Sequence, residues 1–356
     1  MRKICELEFL ISTCKILRMN NNISMKTKIL RILEASREKF VSGENIAEQL
    51  GVTRATVSQY VKILKSEGYM ISASTKIGYR LEKFCDVLSR EGIIANLIDE
   101  NILGEIICLD EIDSTNNYAK KLALDGAPEG TLITANHQTS GRGRRGHSFV
   151  SPAGTGLYMT LILRPNVETP EFQMITVAAA VAVCFALEKL VPGIKLGIKW
   201  VNDIFLGGKK ICGILTEAVT SIESGEIESV IIGIGVNIRT ENFSPEIACI
   251  AGSIFDGNAD TENIFSRNEL AALISEHIMR FSRKLDAPEI IAAYRERSIL
   301  TGENIRYMIG NESRKARVLG IDNSGGLEII GEDGVREILR SGEVFMLRKI
   351  RETCKS

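Results

Sequence analysis

Paired cysteines, metal-spaced histidines and a membrane-length apolar run are all missing from this 356-residue chain. Its eight cysteines, Cys5, Cys14, Cys85, Cys108, Cys184, Cys212, Cys249 and Cys354, include no C-x-x-C pair. That is reduced, cytoplasmic usage, not a disulfide framework or a zinc site. The three histidines, His137, His147 and His277, have no ligand spacing, which argues against zinc chemistry and a Ser-His-Asp triad alike. The longest uncharged apolar run, Phe172 to Leu187, is Ala-rich and short of the ~20 residues a bilayer span needs, so it reads as a buried core helix with no membrane role. Residues 1–24 carry Glu6 and Glu8 and lack the apolar region of a signal peptide. They are expected to be a poorly ordered extension, with Met25 as the natural start. A net charge of −1 gives no general attraction to nucleic acid or acidic membranes.

What is present is an ordinary globular composition, 44% hydrophobic and 25% charged, on a chain long enough for two or three domains. One stretch stands apart. Gly141-Arg-Gly-Arg-Arg-Gly146 places three arginines among three glycines. Glycine lets backbone approach a ligand closely, and arginine offers a fork of donors matched to phosphate and carboxylate oxygens. The stretch fits a loop that closes on an anion; by itself it fits a solvated turn or a nucleic-acid tail equally well.

From Met25 to Leu81 ten Lys/Arg face five Asp/Glu, a local basic excess. Ile29, Leu30, Ile32 and Leu33 supply the apolar face of a first helix. Ser42 caps a second from about Gly43 to Leu50, Gly51 makes the turn, and a third opens at Thr53 with Val57, Tyr60, Val61 and Leu64 at helical spacing. The other face of that third helix carries Arg54, Thr56, Ser58, Gln59 and Lys62, donors suited to phosphates and base edges. Ile71 to Leu81, with Lys76, reads as a β-hairpin wing. Ser42 to Lys62 resembles the winged-helix regulators, which implies operator DNA as a partner and Arg54, Thr56, Ser58, Gln59, Lys62 and Lys76 as its contacts. A small helical module that packs on a partner protein is the other reading. Residues 82–104 read as a linker plus the first helix of the catalytic domain.

Within 105–294, a strand from Ile106 to Leu109 leads to Asp113, Ser114 and Thr115, which are placed to cap a helix near Asn116. A strand from Thr131 to Ala135 runs through Gln138 into the arginine stretch, and Gly156 to Leu163 forms the next. Gly207-Gly208 is a two-residue hairpin turn that makes its flanks antiparallel partners. Lys199 falls in an apolar strand beside Trp200, where an ammonium must snorkel to an edge or meet an anion. Ser229 to Ile238 is a further strand, with Gly233 and Gly235 allowing close backbone approach. Residues 295–350 show five short strands separated by turns, including one at Gly310-Asn311, the pattern of a small SH3-like barrel.

Four segments in this order, Asp113-Ser-Thr-Asn116, Gln138 to Gly146, Lys199-Trp-Val-Asn-Asp203 and Gly233-Ile-Gly-Val-Asn237, closely resemble those of biotin protein ligases. With the helix-turn-helix in front, the chain resembles the bifunctional ligase and biotin-operon repressors. The resemblance implies a multidomain α/β (α+β) fold: a winged helix-turn-helix, a central class II synthetase-like mixed sheet with helices, and an SH3-like β-barrel. It implies an AMP-forming ligase that joins biotin and Mg-ATP into biotinyl-5′-adenylate and passes biotin to a lysine of a biotin carboxyl carrier domain. By the same resemblance Lys199 and Arg144 are catalytic. Ser114, Thr115, Asn116, Gln138, Arg142, Gly143, Arg144, Lys199 and Gly213 bind biotin, and Arg142, Arg144, Asn202 and Asn237 bind nucleotide. For Asn202, Asp203 and Asn237 a nucleotide or Mg2+ role and a structural hydrogen bond both fit. A homodimer is expected when adenylate is bound, and the loop arginines are expected to be poorly ordered without ligand. One departure is Val201, where many relatives have proline. A lipoate-type ligase of the same fold and a ligand-sensing transcription factor without ligase activity are the rival readings.

Overall fold

The computed structural model describes residues 23–165, 172–220, 225–241, 243–255, 265–309 and 312–347. Most of the expected N-terminal extension and the Gly310-Asn311 turn lie outside them. The chain divides into two compact units, residues 1–102 with 262–273 and residues 103–261 with 274–356.

In the first unit, α1 (Met25–Ala35), α2 (Gly43–Leu50) and α3 (Arg54–Ser66) each begin at a hydroxyl cap. Ser42 Oγ accepts the Asn45 N–H at 3.0 Å and Thr53 Oγ1 accepts that of Thr56 at 3.1 Å. Each bond satisfies a donor that the first helical turn leaves unpaired. Gly51 closes α2 at φ +64°, a left-handed conformation that strains any residue with a Cβ. Ile29, Leu30, Leu33, Ile46, Val57, Leu64 and Leu81 are fully or almost fully buried, while Tyr60, expected in the core, is only half-buried at its edge. The wing is β1 (Ile71–Ser74) paired antiparallel with β2 (Gly78–Leu81).

The helix expected to open the catalytic domain, α4 (Arg90–Asn96), belongs instead to this first unit. The buried Arg31 of α1 holds it: Nη2 donates to Ile94 O at 2.8 Å, Nε to Ala95 O at 3.3 Å, and Nη1 pairs with Glu100. A cation on the carbonyl end of a helix satisfies groups that have no helical partner.

The second unit is built on a seven-stranded mixed sheet. Its strands are β3 (Ile106–Ile112), β4 (Leu132–Gln138), β5 (Gly156–Leu163), β6 (Leu196–Lys199), β7 (Asp203–Leu206), β8 (Lys209–Thr220) and β9 (Ile227–Asn237), in the order β3-β4-β5-β9-β8-β7-β6. Only β3 and β4 run parallel. α5 (Thr115–Leu124) packs on β4, β5 and β9, and α6 (Phe172–Leu190) on β6, β7 and β8. The latter continues past Leu187 to 19 residues, which is long and apolar enough to cross a bilayer by length and composition, but 78% of that window is buried inside the protein. It is a core helix. Five further strands, β10 (Asn304–Ile309), β11 (Glu312–Ile321), β12 (Leu327–Gly331), β13 (Arg336–Leu339) and β14 (Val344–Met346), form an antiparallel sheet in the order β13-β12-β11-β10-β14. Its β11–β12 turn is bonded to α6 and to the residue after β6, because Gly325 O accepts from both Gln173 Nε2 (2.6 Å) and Trp200 Nε1 (2.8 Å).

Candidate active site

The site begins with missing side chains. Gly213 and Gly235 face each other across β8 and β9, and Gly233 pairs with Leu215. A Cβ on Gly233 would lie 1.9 Å from Asn116 Oδ1, and one on Gly235 2.5 Å from the Phe149 ring. Glycine at these positions lets the start of α5 and a loop aromatic lie directly on the sheet. Between them is a solvent-open cavity of about 450 Å3 walled by Ser114, Thr115, Asn116, Gln138, Arg142, Gly143, Arg144, Phe149, Asn202, Lys210, Gly213 and neighbouring backbone.

Its inner end is neutral and tightly bonded. Ser114, Thr115 and Asn116 are buried. Ser114 occupies the N-cap of α5 without a side-chain cap bond, so the expected hydroxyl cap is not made. The orphan Thr115 N–H instead donates to Gln138 Oε1 at 2.9 Å, and Gln138 Nε2 donates to Ser151 Oγ at 2.9 Å. Asn116 Nδ2 donates to Glu217 Oε2 at 3.0 Å and to Leu215 O at 3.4 Å. Thr160 Oγ1, on β5, is 2.8 Å from both Thr115 Oγ1 and Asn116 Oδ1.

The outer end is charged. The arginine loop folds back on itself through Gly143 N–H to His147 O at 2.7 Å and Phe149 N–H to Gly141 O at 2.8 Å. Arg142 donates to Asn117 Oδ1 at 2.9 Å and pairs with Glu217 at 3.3 Å. Arg144 donates to Asn202 Oδ1 at 3.0 Å. Burial pulls its pKa below the ordinary arginine value, with Asp203 acting the other way. Lys210 Nζ lies 2.7 Å from Asp203 Oδ1 and 3.2 Å from where a Gly213 Cβ would stand.

Two expected residues fall elsewhere. Lys199 is not among the cavity walls; its ammonium lies 5.7 Å over the Phe345 ring, and burial lowers its pKa while Asp203 opposes the shift. Asn237 is buried outside the cavity with Nδ2 donating to Gly252 O at 3.1 Å. The cavity lysine is Lys210, which the sequence reading passed over, as it did Phe149, Thr160 and Glu217. The reason is a bulge. β7 and β8 pair Phe205 with Lys210 but Ile204 with Cys212, so Ile211 is the extra residue and Lys210 comes to the same side as Gly213, which regular alternation forbids. The Trp200–Val201 peptide is cis. Among the described residues no cluster of three or more His, Cys, Asp or Glu side chains is set to hold a metal.

Comparison with known proteins identifies the family. Residues 108–237 match the biotin/lipoate A/B protein ligase family, 26–80 an HTH domain and 301–347 the biotin protein ligase C terminal domain. The bifunctional ligase/repressor BirA of Bacillus spizizenii is 34% identical over 88% of this chain and 97% of its own. The chain belongs to the biotin protein ligase family. Within it, the BirA of Escherichia coli is 28% identical over 86% of this chain and 93% of its own. Among solved structures, a biotin protein ligase from Aquifex aeolicus in complex with biotin and ATP is 27% identical, with a TM-score of 0.56 over 69% of this chain and 100% of that one.

The ligase/repressor relatives direct attention to α3. Arg54, Gln59 and Lys62 are exposed along it, and Lys76 is exposed on the wing. Ser58 is half-buried, and the half-buried Thr56 is engaged in the cap, with Oγ1 3.0 Å from Thr53 Oγ1. α3 contains no acidic residue, so the surface carries cations without internal neutralisation.

Proposed function

We propose that this chain activates biotin with ATP and transfers it to a lysine of a carboxylase carrier domain, and that it also represses transcription by binding operator DNA. The observation that carries the ligase half is the junction in one cavity of a neutral, fully bonded polar end with Arg142, Arg144 and Lys210. The inner end suits the ureido ring; the outer end suits two anions that must meet. In the first step a biotin carboxylate oxygen attacks the α-phosphorus of ATP, the bond to the β-phosphate oxygen breaks, and pyrophosphate leaves. In the second the carrier lysine amine attacks the acyl carbon, loses a proton, and AMP leaves. Bringing carboxylate to phosphate is an electrostatic problem, solved by cations fixed in advance where charge accumulates.

Lys210 replaces Lys199 as the catalyst in this reading, since it lies inside the cavity beside Gly213. Asp203 orients Lys210. As a magnesium ligand Asp203 fits poorly, because Mg2+ takes near-octahedral oxygens and this lone carboxylate is already neutralised at 2.7 Å by Lys210; Mg2+ accompanies the ATP phosphates. Arg144 and Asn202 face the nucleotide, and Arg142 and Gly143 form the lid that excludes water from the anhydride. Asn237 is structural. Arg54, Gln59 and Lys62 read the major groove, Ser58 and Lys76 assist at the backbone, and a cytoplasmic homodimer of the adenylate-bound protein presents two helices to a palindromic site.

Incubation with labelled biotin, ATP, Mg2+ and a biotin carboxyl carrier domain tests the ligase half. Label is expected on one carrier lysine, and its absence would sink the reading in favour of a ligand sensor. Operator binding is expected to tighten with biotinyl-adenylate and to weaken steeply with salt. Equal affinity with and without the adenylate rejects the coupling.

A further inference from the structure

We propose that Thr160 is a positioning residue for biotin specificity: through one buried hydrogen bond it holds the Asn116 amide with its oxygen turned to the cavity, so that the site accepts a ligand N–H there. The inference rests on the biotin reading of this cavity.

The orientation of an amide is fixed by what surrounds it. Leu215 O and the Glu217 carboxylate can only accept, so the Asn116 atom facing both, at 3.4 and 3.0 Å, is the nitrogen. Its two hydrogens are thereby spent. Asn116 Oδ1 then faces Thr160 Oγ1 at 2.8 Å, and since a carbonyl oxygen cannot donate, the hydrogen between them belongs to Thr160. Thr160 has one hydroxyl hydrogen, so it does not also donate to Thr115 Oγ1 at 2.8 Å; Thr115 has a hydrogen of its own, for which Thr160 Oγ1 and Gln138 Oε1, at 3.1 Å, are both acceptors. Thr160 is thus directionally set toward Asn116, and it is fully buried, so water offers it no alternative partner.

What remains for a ligand follows by subtraction. Asn116 Oδ1 keeps one lone pair and no hydrogen is left on Nδ2, so Asn116 offers acceptance alone. A cyclic urea presents N–H groups flanking its carbonyl and satisfies that demand. A ring bearing an acceptor at the same place would set two lone pairs against each other, which is the arrangement that polar sites reject most strongly. Gly233 completes the device, because Asn116 Oδ1 occupies the space its Cβ would fill.

Variants at position 160 separate hydrogen bonding from packing. T160V keeps the shape and removes the hydroxyl; T160S keeps the hydroxyl and removes a methyl. In biotin-dependent exchange of pyrophosphate into ATP, T160V is expected to raise the KM for biotin about tenfold, with the KM for ATP unchanged, and T160S to stay near wild type. A packing role reverses the order, leaving T160V near wild type and T160S impaired, and that result overturns the inference, as does a T160V effect shared equally by biotin and ATP. If T160V does not fold, T160A removes the same hydrogen without bulk and is read by the same criterion. Wild-type protein that neither binds biotin in a calorimetric titration nor supports exchange defeats the biotin reading itself, and this inference with it.

Discussion

The two ends of the cavity solve opposite problems. At the inner end the side chains of Thr115, Asn116, Gln138 and Thr160 are all uncharged and hydrogen-bonded to partners fixed in the fold, with Glu217, under Asn116, the one charged partner among them. At the outer end Arg142, Arg144 and Lys210 rest on Glu217, Asn202 and Asp203, protein groups that occupy the places of anions. The first arrangement meets its ordering cost during folding and binds a rigid neutral ring without rearrangement. In the proposed reaction the second keeps cations close to where charge develops, and they exchange partners when biotin carboxylate and phosphate arrive. In the proposed reading, specificity and catalysis are therefore separated in space.

The largest effect is expected where that separation is sharpest. Lys210→Met should slow biotinyl-adenylate formation by about 10²–10³, the usual cost of removing one fixed charge from a developing anion, with little change in biotin affinity. Lys199→Met, which removes an ammonium packed on Phe345, should cost less than about tenfold. Single-turnover formation of labelled adenylate measures both. If Lys199→Met is the more damaging, the catalytic cation lies outside the cavity and Lys210 only neutralises Asp203.

How far the sequence reveals such a site depends on how local the determining physics is. The Ser42 and Thr53 caps, the Gly51 turn and the Gly207-Gly208 hairpin are decided by a few adjacent residues, and each stands where the pattern puts it. The alternate glycines of β9 likewise announce close approach to the sheet. Lys210 was hidden by the bulge at Ile211, because a one-residue insertion in a ladder changes which side chains share a face without marking the sequence. Thr160 was hidden by its strand: inside Gly156 to Leu163, where every residue is buried, a threonine reads as β-propensity alone. The place of α4 is hidden for a third reason. Its partner Arg31 is 63 residues away from Ile94, and no local signal tells which unit a short amphipathic helix will join.

Glu217 tests whether the two ends are as separate as their chemistry implies, because its carboxylate touches both: Oε2 accepts from Asn116, and the same group pairs with Arg142 and, at 2.7 Å, with Lys120. Burial would raise its pKa, but the hydrogen bonds from Lys120 and Asn116 and the charges of Lys120 and Arg142 outweigh it and hold the carboxyl below its ordinary 4.5. A depressed carboxyl pKa means that its favourable charge persists above the ordinary value and is lost only as pH falls through the lower one, so the anchor stays ionised through the neutral range. Glu217→Gln keeps an acceptor for Asn116 and removes the charge under Arg142. If the ends are independent, biotin affinity stays near wild type while bound adenylate escapes roughly two- to fivefold faster, a small change because Arg142 is partly exposed and its ion pair is screened. Chasing labelled adenylate with unlabelled adenylate measures the escape, and added salt should narrow the gap between variant and wild type. Loss of biotin affinity with no change in escape would instead make Glu217 part of the inner clamp and join the two ends into one coupled network.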